Sequence, residues 1–197
     1  EFSNAIAAAV FVDSYSVGHE GLENPPCSRG SYSRGELEAA IGRVRAATGK
    51  PITTSEGMDD YLCDATLLGT GDFVLTTVHP FWNGRRIPQE AAAWTVDRFQ
   101  ALKALMASRG LAQKPLLFKE VGLPSFGCPE CSEANQAEYY ARLEQSKCVG
   151  PVLFSYFEAY NQPWKNSQPV EPHWGLFRTD RSPKEVVNRI GGRVSRL

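Results

Sequence analysis

The sequence lacks any imbalance of charge. Its 21 basic and 22 acidic residues leave a formal net charge of −1 and are scattered along the chain. With no Lys/Arg block there is no electrostatic footprint for a phosphate backbone, and no nucleic-acid partner is expected. Long apolar runs are lacking too. The longest lies near residues 5–12, well short of the roughly 18–20 residues of a membrane span, so no membrane partner is expected. Glu1-Phe2 offers neither an initiator Met nor a basic n-region, so no signal peptide is expected; the pair fits a cloning scar, a mature start or a truncated one. P-loop, dinucleotide-fingerprint, HExxH and EF-hand patterns are absent. Cysteine is present but unevenly placed: Cys27, Cys63, Cys128, Cys131 and Cys148 are an odd set of five. Cys128-Pro129-Glu130-Cys131 is a CxxC with no second CxxC or His pair, so a loop disulfide or free thiols are expected before a zinc or redox site.

What is present is a chain of 197 residues, 42% hydrophobic, enough to bury a core as one domain over residues 1–197. Strand-like and helix-like patterns alternate along it. Apolar residues 10–17 lead to Glu20, and a Pro/Gly/Ser loop follows. Residues 36–48 have helical spacing through Leu37, Ile41 and Val44 and end at Gly49, a plausible C-cap. Residues 51–55 are short and β-branched and lead to Glu56; 58–68 read as one helix closed by Gly69. Residues 73–78 form a buried strand ending at His79-Pro80-Phe81-Trp82. The longest helical stretch is 90–108, with Phe99, Leu102 and Leu105 on one face. Residues 116–119 present Glu120, 133–146 are helical, 151–157 form a strand leading to Glu158, and a last helix lies near 183–190. Five strands, each followed by a helix and each ending in a polar residue, point to a parallel α/β arrangement like the active face of a (β/α)8 barrel, with fewer strands than closure requires.

Glu20 in Tyr15-Ser16-Val17-Gly18-His19-Glu20-Gly21 and Glu120 in Phe118-Lys119-Glu120-Val121-Gly122 each stand at a strand end. A pair of such carboxylates suits acid/base and nucleophilic work on a glycosidic bond, and the aromatic residues around them favour a sugar. Alternation along a strand places Lys119 on the face opposite Glu120, toward the helices.

These residues resemble glycoside hydrolase family 17, the β-1,3-glucanase-like (β/α)8 barrels. Val17-Gly18-His19-Glu20 is similar to the family's Val-Gly-Asn-Glu, whose Glu is the acid/base at strand 4. Lys119-Glu120-Val121-Gly122-Leu123-Pro124-Ser125 is similar to its Gly-Glu-Thr-Gly-Trp-Pro-Ser, whose Glu is the nucleophile at strand 7. His79-Pro80-Phe81-Trp82 resembles the segment after strand 6. Phe157-Glu158-Ala159-Tyr160-Asn161-Gln162-Pro163-Trp164-Lys165, with Glu171-Pro172-His173-Trp174-Gly175, resembles the strand 8 signature. The resemblance implies a partial barrel equivalent to strands 4–8, lacking strands 1–3, whose open edges favour self-association or a plug formed by the N-terminal segment. It implies a retaining hydrolase of β-linked glucan that needs no metal or cofactor, β-1,3-linked by preference with β-1,4 and mixed linkages open. It also implies a secreted or periplasmic parent enzyme.

On this reading Glu20 is the acid/base and Glu120 the nucleophile, which in a retaining pair stand about 5–5.5 Å apart. His19 occupies the place of the Asn that in this clan hydrogen-bonds the sugar 2-hydroxyl. Substrate contacts are expected from His19, Glu56, His79, Phe81, Trp82, Glu158, Tyr160, Trp164 and Lys165. Glu56 fits structural hydrogen bonding as well as a subsite; Glu158 fits a sugar acceptor or a brace for Glu120; His79 fits a core histidine as well as a functional one. Trp94, Tyr139 and Tyr140 fall on helices and are expected to pack. Two alternatives stand beside the enzyme: a non-catalytic glucan-binding remnant, and a serine esterase using Ser125 with His173 and Asp180, although Leu123 breaks the G-x-S-x-G spacing.

Overall fold

The computed structural model of the chain describes residues 1–146 and 152–194. It is an α/β protein of five parallel strands alternating with helices, as the sequence patterns lead one to expect, and these are the β/α units from which (β/α)8 barrels are made. The chain forms two compact units, Glu1–Thr77 with Ala101–Leu117, and Val78–Gln100 with Phe118–Leu197.

The first unit opens with helix α1 (Phe2–Ala8), followed by strand β1 (Tyr15–His19), helix α2 (Arg34–Thr48), strand β2 (Ile52–Gly57), helix α3 (Met58–Cys63), a 3₁₀ turn (Ala65–Gly69) and strand β3 (Val74–Thr77). The expected strand over 10–17 is corrected at its start. The Ala-rich segment before it is a good helix former and takes the helix, while Val10 and Phe11 are 80% and 87% exposed and pair with nothing strand-like. α2 begins at a capping box: Ser33 accepts from the Glu36 amide and the Glu36 side chain returns to Ser33. It ends at Gly49 with φ 65°, the left-handed C-cap read from the sequence. The single helix expected over 58–68 breaks at Asp64, whose extended backbone leaves the helix and whose carboxylate accepts from Thr66 N–H to start the 3₁₀ turn. β1, β2 and β3 pair in parallel, with Tyr15 opposite Ile52 and Glu56 opposite Thr76. The β1–β2 register shifts between Ser16 and His19, where Gly18 sits at φ 83°. Leu37, Ile41 and Val44 from α2 join Ile52, Leu67, Leu68 and Tyr61 in the core. β2 and β3 are buried along nearly their whole length although they carry Thr53, Thr54, Ser55, Glu56, Thr76 and Thr77, so this unit contains a polar interior that must satisfy itself. Cys27 and Cys63 pair across it.

Helix α4 runs from Pro88 to Ser108, and strand β4 from Leu116 to Val121. In the second unit helix α5 (Glu133–Ser146), strand β5 (Phe154–Tyr156) and helix α6 (Glu185–Val194) complete the order. β4 and β5 pair in parallel, Phe118 opposite Phe154, with a register shift before Val121. β5 is shorter than the expected 151–157; Pro151 and Cys148 lie outside the described residues. Cys128 and Cys131 form the loop disulfide that was one of two expectations. Phe99, Phe118, Val121, Tyr139, Leu143 and Val152 are buried together with Trp174 and Val186. Tyr139 packs as expected, its hydroxyl 3.0 Å from that of Thr95.

Gln136, fully buried on α5, donates from Nε2 to the carbonyls of Leu123 (3.1 Å) and Trp174 (3.0 Å). It therefore ties the loop after β4 to the loop after β5. Gln136→Leu keeps the volume but orphans both carbonyls, and it is expected to lower unfolding stability by about 1–3 kcal/mol, read from the urea midpoint.

Candidate active site

Glu20 follows β1 directly and is exposed. Its backbone sits at φ 47°, a left-handed conformation that is uncommon outside glycine. Its amide donates to the Ser55 carbonyl at 2.9 Å, and one carboxylate oxygen accepts from the hydroxyl of buried Thr77 at the end of β3. Below the loop lies Glu56, with no solvent exposure. Its Oε2 accepts from the amides of Gly21 (3.1 Å) and Leu22 (3.2 Å), and its Oε1 accepts from the hydroxyls of Tyr32 (2.8 Å) and Thr54 (2.6 Å). Burial first, and then the Glu56 carboxylate, push the Tyr32 phenol up to about 12, so it stays a donor. Four protein donors and full burial match the structural hydrogen bonding that was one of two expectations for Glu56. His19, by contrast, is exposed at the end of β1.

In the second unit Glu120 stands near the end of β4 with 14% of its side chain exposed. His79 Nε2 is 3.3 Å from its Oε2, and Lys119 Nζ is 3.4 Å from its Oε1. The Lys119 contact corrects the expectation that strand alternation turns this residue away. The β4–β5 register is irregular here, and a four-carbon stem lets the ammonium return to its neighbour. Glu158, just after β5, accepts from Lys165 Nζ at 3.0 and 3.1 Å and from Gln162 Nε2 at 2.6 Å. Burial holds its carboxyl above the ordinary glutamate range, opposed by Lys165 and reinforced by the charges of Glu171 and Glu120.

The aromatic residues sort by exposure. Trp174 is buried at its centre, with His79, Phe157 and Phe81 packed edge-on against it at 5.4–5.8 Å. Phe81 is 4% exposed and packs edge-on under Trp82 at 4.9 Å, so it supports that ring and has no face of its own to offer a sugar. Trp82, Tyr160 and Trp164 are 51%, 47% and 72% exposed and keep faces available. Lys165 also lies 4.7 Å from the centre of the Phe157 ring. Ser125, by contrast, is buried; its hydroxyl donates to the His173 carbonyl at 3.0 Å and accepts from Lys184 Nζ at 2.7 Å. Those bonds brace a loop, and the His173 contact is to its backbone, not to an imidazole base. Thr77, Tyr32 and Gln162 were missed by the sequence reading. Only Thr77 carried a signal, as a hydroxyl at a strand end beside the His79 motif. Among the described residues no group of three or more His, Cys, Asp or Glu could hold a metal ion.

The model of the BtgE/BtgC glycoside hydrolase domain matches residues 3–175 of the chain. A glucan 1,3-beta-glucosidase of Arthroderma benhamiae is 26% identical over 190 residues, covering 88% of this chain and 60% of the relative. A probable glucan endo-1,3-beta-glucosidase, btgC, of Aspergillus fumigatus is 31% identical over 167 residues, covering 74% of this chain and 24% of the relative. The chain thus spans between about a quarter and three-fifths of the length of these relatives. Among solved structures, an endo-laminarinase from Formosa Hel1_33_131 superposes with a TM-score of 0.79 at 20% identity, covering 98% of this chain and 62% of that one.

The raised Glu158 carboxyl has a consequence for stability. Because its folded-state value lies above the free one, its contribution is full below the free glutamate pKa and is lost as pH rises through the raised value. Lys165→Met removes the opposing cation. It is expected to move that loss to higher pH, seen as a displaced acid-range step in the urea midpoint plotted against pH.

Proposed function

The chain belongs to the family of BtgE/BtgC glycoside hydrolase domains, and on that footing we propose that it hydrolyses β-linked glucan, β-1,3-linked by preference, with net retention at the anomeric carbon. Residues 1–197 act as one glycoside hydrolase-like domain in this reading, and the five strands correspond to strands 4–8 of a closed barrel. Support for that correspondence is the order of four spaced motifs, each lying at or near the C-terminal end of a strand.

Glu120 is the nucleophile. The observation that carries this is its setting: a carboxylate near the end of a parallel strand, His79 against one oxygen and Lys119 against the other, and mostly shielded from solvent. Fixed donors of this kind hold the attacking oxygen in one place without reorganisation at the moment of reaction. Glu120 attacks the anomeric carbon as the glycosidic C–O bond breaks. Glu20 gives its proton to the departing oxygen, then takes one from the water that attacks the same carbon and frees Glu120. Thr77 holds one Glu20 oxygen. Lys165 and Gln162 hold Glu158, which serves as a sugar-hydroxyl acceptor or as a brace for the Glu120 side of the site. The exposed rings of Trp82, Tyr160 and Trp164 offer stacking faces to pyranose rings, and His19 offers a hydrogen bond at the Glu20 end. The names of the matched relatives, glucan 1,3-beta-glucosidase and endo-1,3-beta-glucosidase, favour the β-1,3 linkage.

Reducing-sugar release from laminarin and from carboxymethylcellulose tests the reading. Laminarin is the expected substrate, and Glu120→Gln is expected to lower the rate by more than about 10³-fold while laminarin binding persists. Equal rates in wild type and variant would remove Glu120 from the nucleophile's role. Glucan binding by a folded wild type with no release from either polymer would favour a binding protein over an enzyme. Trp82→Ala is expected to raise KM for laminarin roughly threefold to tenfold with little change in kcat, the effect of one lost stacking face.

A further inference from the structure

Resting on the acid/base role proposed for Glu20, we infer that Glu56 is a positioning residue for it. It acts through the amides of Gly21 and Leu22 and holds the left-handed backbone that aims the Glu20 carboxyl.

Four observations converge on this. A non-glycine residue at φ 47° stores strain, about 1–3 kcal/mol, that its surroundings must offset. The two amides immediately after it both point at one oxygen of Glu56, at 3.1 and 3.2 Å. Successive N–H groups meeting on one anion form a compact anchor for a turned backbone. The other oxygen of Glu56 is fixed by the Tyr32 and Thr54 hydroxyls, so the anchor cannot swing away. Finally, Tyr32 also closes on the loop. Its amide donates to the Gly21 carbonyl at 3.1 Å, its hydroxyl lies 3.2 Å from the Gly21 amide, and its ring occupies the space a Gly21 side chain would need. Glu20 itself is exposed; its amide donates to the Ser55 carbonyl at 2.9 Å and its side chain accepts from Thr77, contacts that leave the chain after it to be held by Glu56. A buried carboxylate is a costly way to hold a loop, since desolvation costs several kcal/mol. Its place directly beneath the proposed acid/base accounts for its presence.

A positioning role separates from a purely structural one by leaving-group dependence. Glycosides with poor leaving groups need a proton from the acid; dinitrophenyl glycosides do not. Glu20→Ala is expected to lower kcat/KM on laminari-oligosaccharides by roughly 10²–10⁴-fold while leaving 2,4-dinitrophenyl β-laminaribioside within about threefold of wild type. Glu56→Ala is expected to show the same split, about a hundredfold against little change. Glu56→Gln recovers most of the loss, because its amide oxygen still accepts from Gly21 and Leu22 and its NH2 donates to Tyr32 and Thr54. Gly21 and Leu22 amide exchange is faster in Glu56→Ala and near wild type in Glu56→Gln. If Glu56→Ala fails to fold, Tyr32→Phe, which removes one brace and keeps the ring, carries the same test with a smaller split.

A split in Glu20→Ala without one in Glu56→Ala overturns this inference alone. Equal losses on both substrates in Glu56→Ala overturn it as well. No split in Glu20→Ala, or no turnover by wild type, overturns the acid/base role and the inference built on it, and the exchange rates then report only whether Glu56 holds the loop.

Discussion

A carboxylate without solvent, Glu56, is the constraint on which the first unit depends. Taking such a group out of water costs several kcal/mol, and hydrogen bonds to a charged partner return about 1.5–3 kcal/mol each. Four donors are the means of closing that gap, and they come from three places: two amides after β1, a phenol in the loop before α2, and a hydroxyl on β2. Satisfying the charge therefore shapes the chain. The glycine at 21 leaves space for the Tyr32 ring, and the bulge at Gly18 turns β1 so that Glu20 emerges exposed above the buried layer. The threonines of β2 and β3 continue the same logic. Thr53 donates to the Phe73 carbonyl and Thr76 to the Glu56 carbonyl, so hydroxyls satisfy much of a strand interior that is polar in sequence, the buried Ser55 hydroxyl being an exception.

The second unit solves a related problem with aromatic residues. Glu120 and Glu158 are both largely shielded, and each is held by a lysine together with a second polar group: His79 for Glu120, Gln162 for Glu158. Behind them the rings of Phe81, Phe157 and Trp174 interlock edge to face, an arrangement that fills volume without placing a competing charge near the carboxylates. That support fixes His79 as well, since its ring packs against Phe157 and Trp174 while its Nε2 meets Glu120. Buried Gln136 and Lys184 brace the adjoining loops, Gln136 through the Leu123 and Trp174 carbonyls and Lys184 through Ser125 and Asn161.

The order of strands and helices was legible in the sequence because buried parallel strands read as apolar or β-branched runs and helices as 3.6-residue periods. The places of Glu20, Glu120 and Glu158 at or just after strand ends were legible because strand ends followed by Gly or polar loops are recognisable. Exposure was not. Phe81 and Trp82 are adjacent aromatics in one motif, yet one is buried and the other half exposed, and only the packing of Trp174 decides which. Nor could the sequence distinguish Glu56 as a lining residue from Glu56 as an anchor, because its partners are up to 35 positions away. Lys119 was misplaced by trusting strand alternation where the register is irregular. The N-terminal helix over Phe2–Ala8 was not among the expected elements, and the strand expected over 10–17 begins only at Tyr15.

The central claim is that Glu120 forms a covalent bond to the anomeric carbon during turnover. Incubation with a 2-deoxy-2-fluoro β-laminaribiosyl fluoride, which slows release of such an adduct, followed by peptide mass analysis, tests it most directly. The account predicts one sugar attached to Glu120 and loss of laminarin hydrolysis in proportion to labelling. Attachment at another residue, or no attachment under conditions where laminarin is hydrolysed, would contradict it.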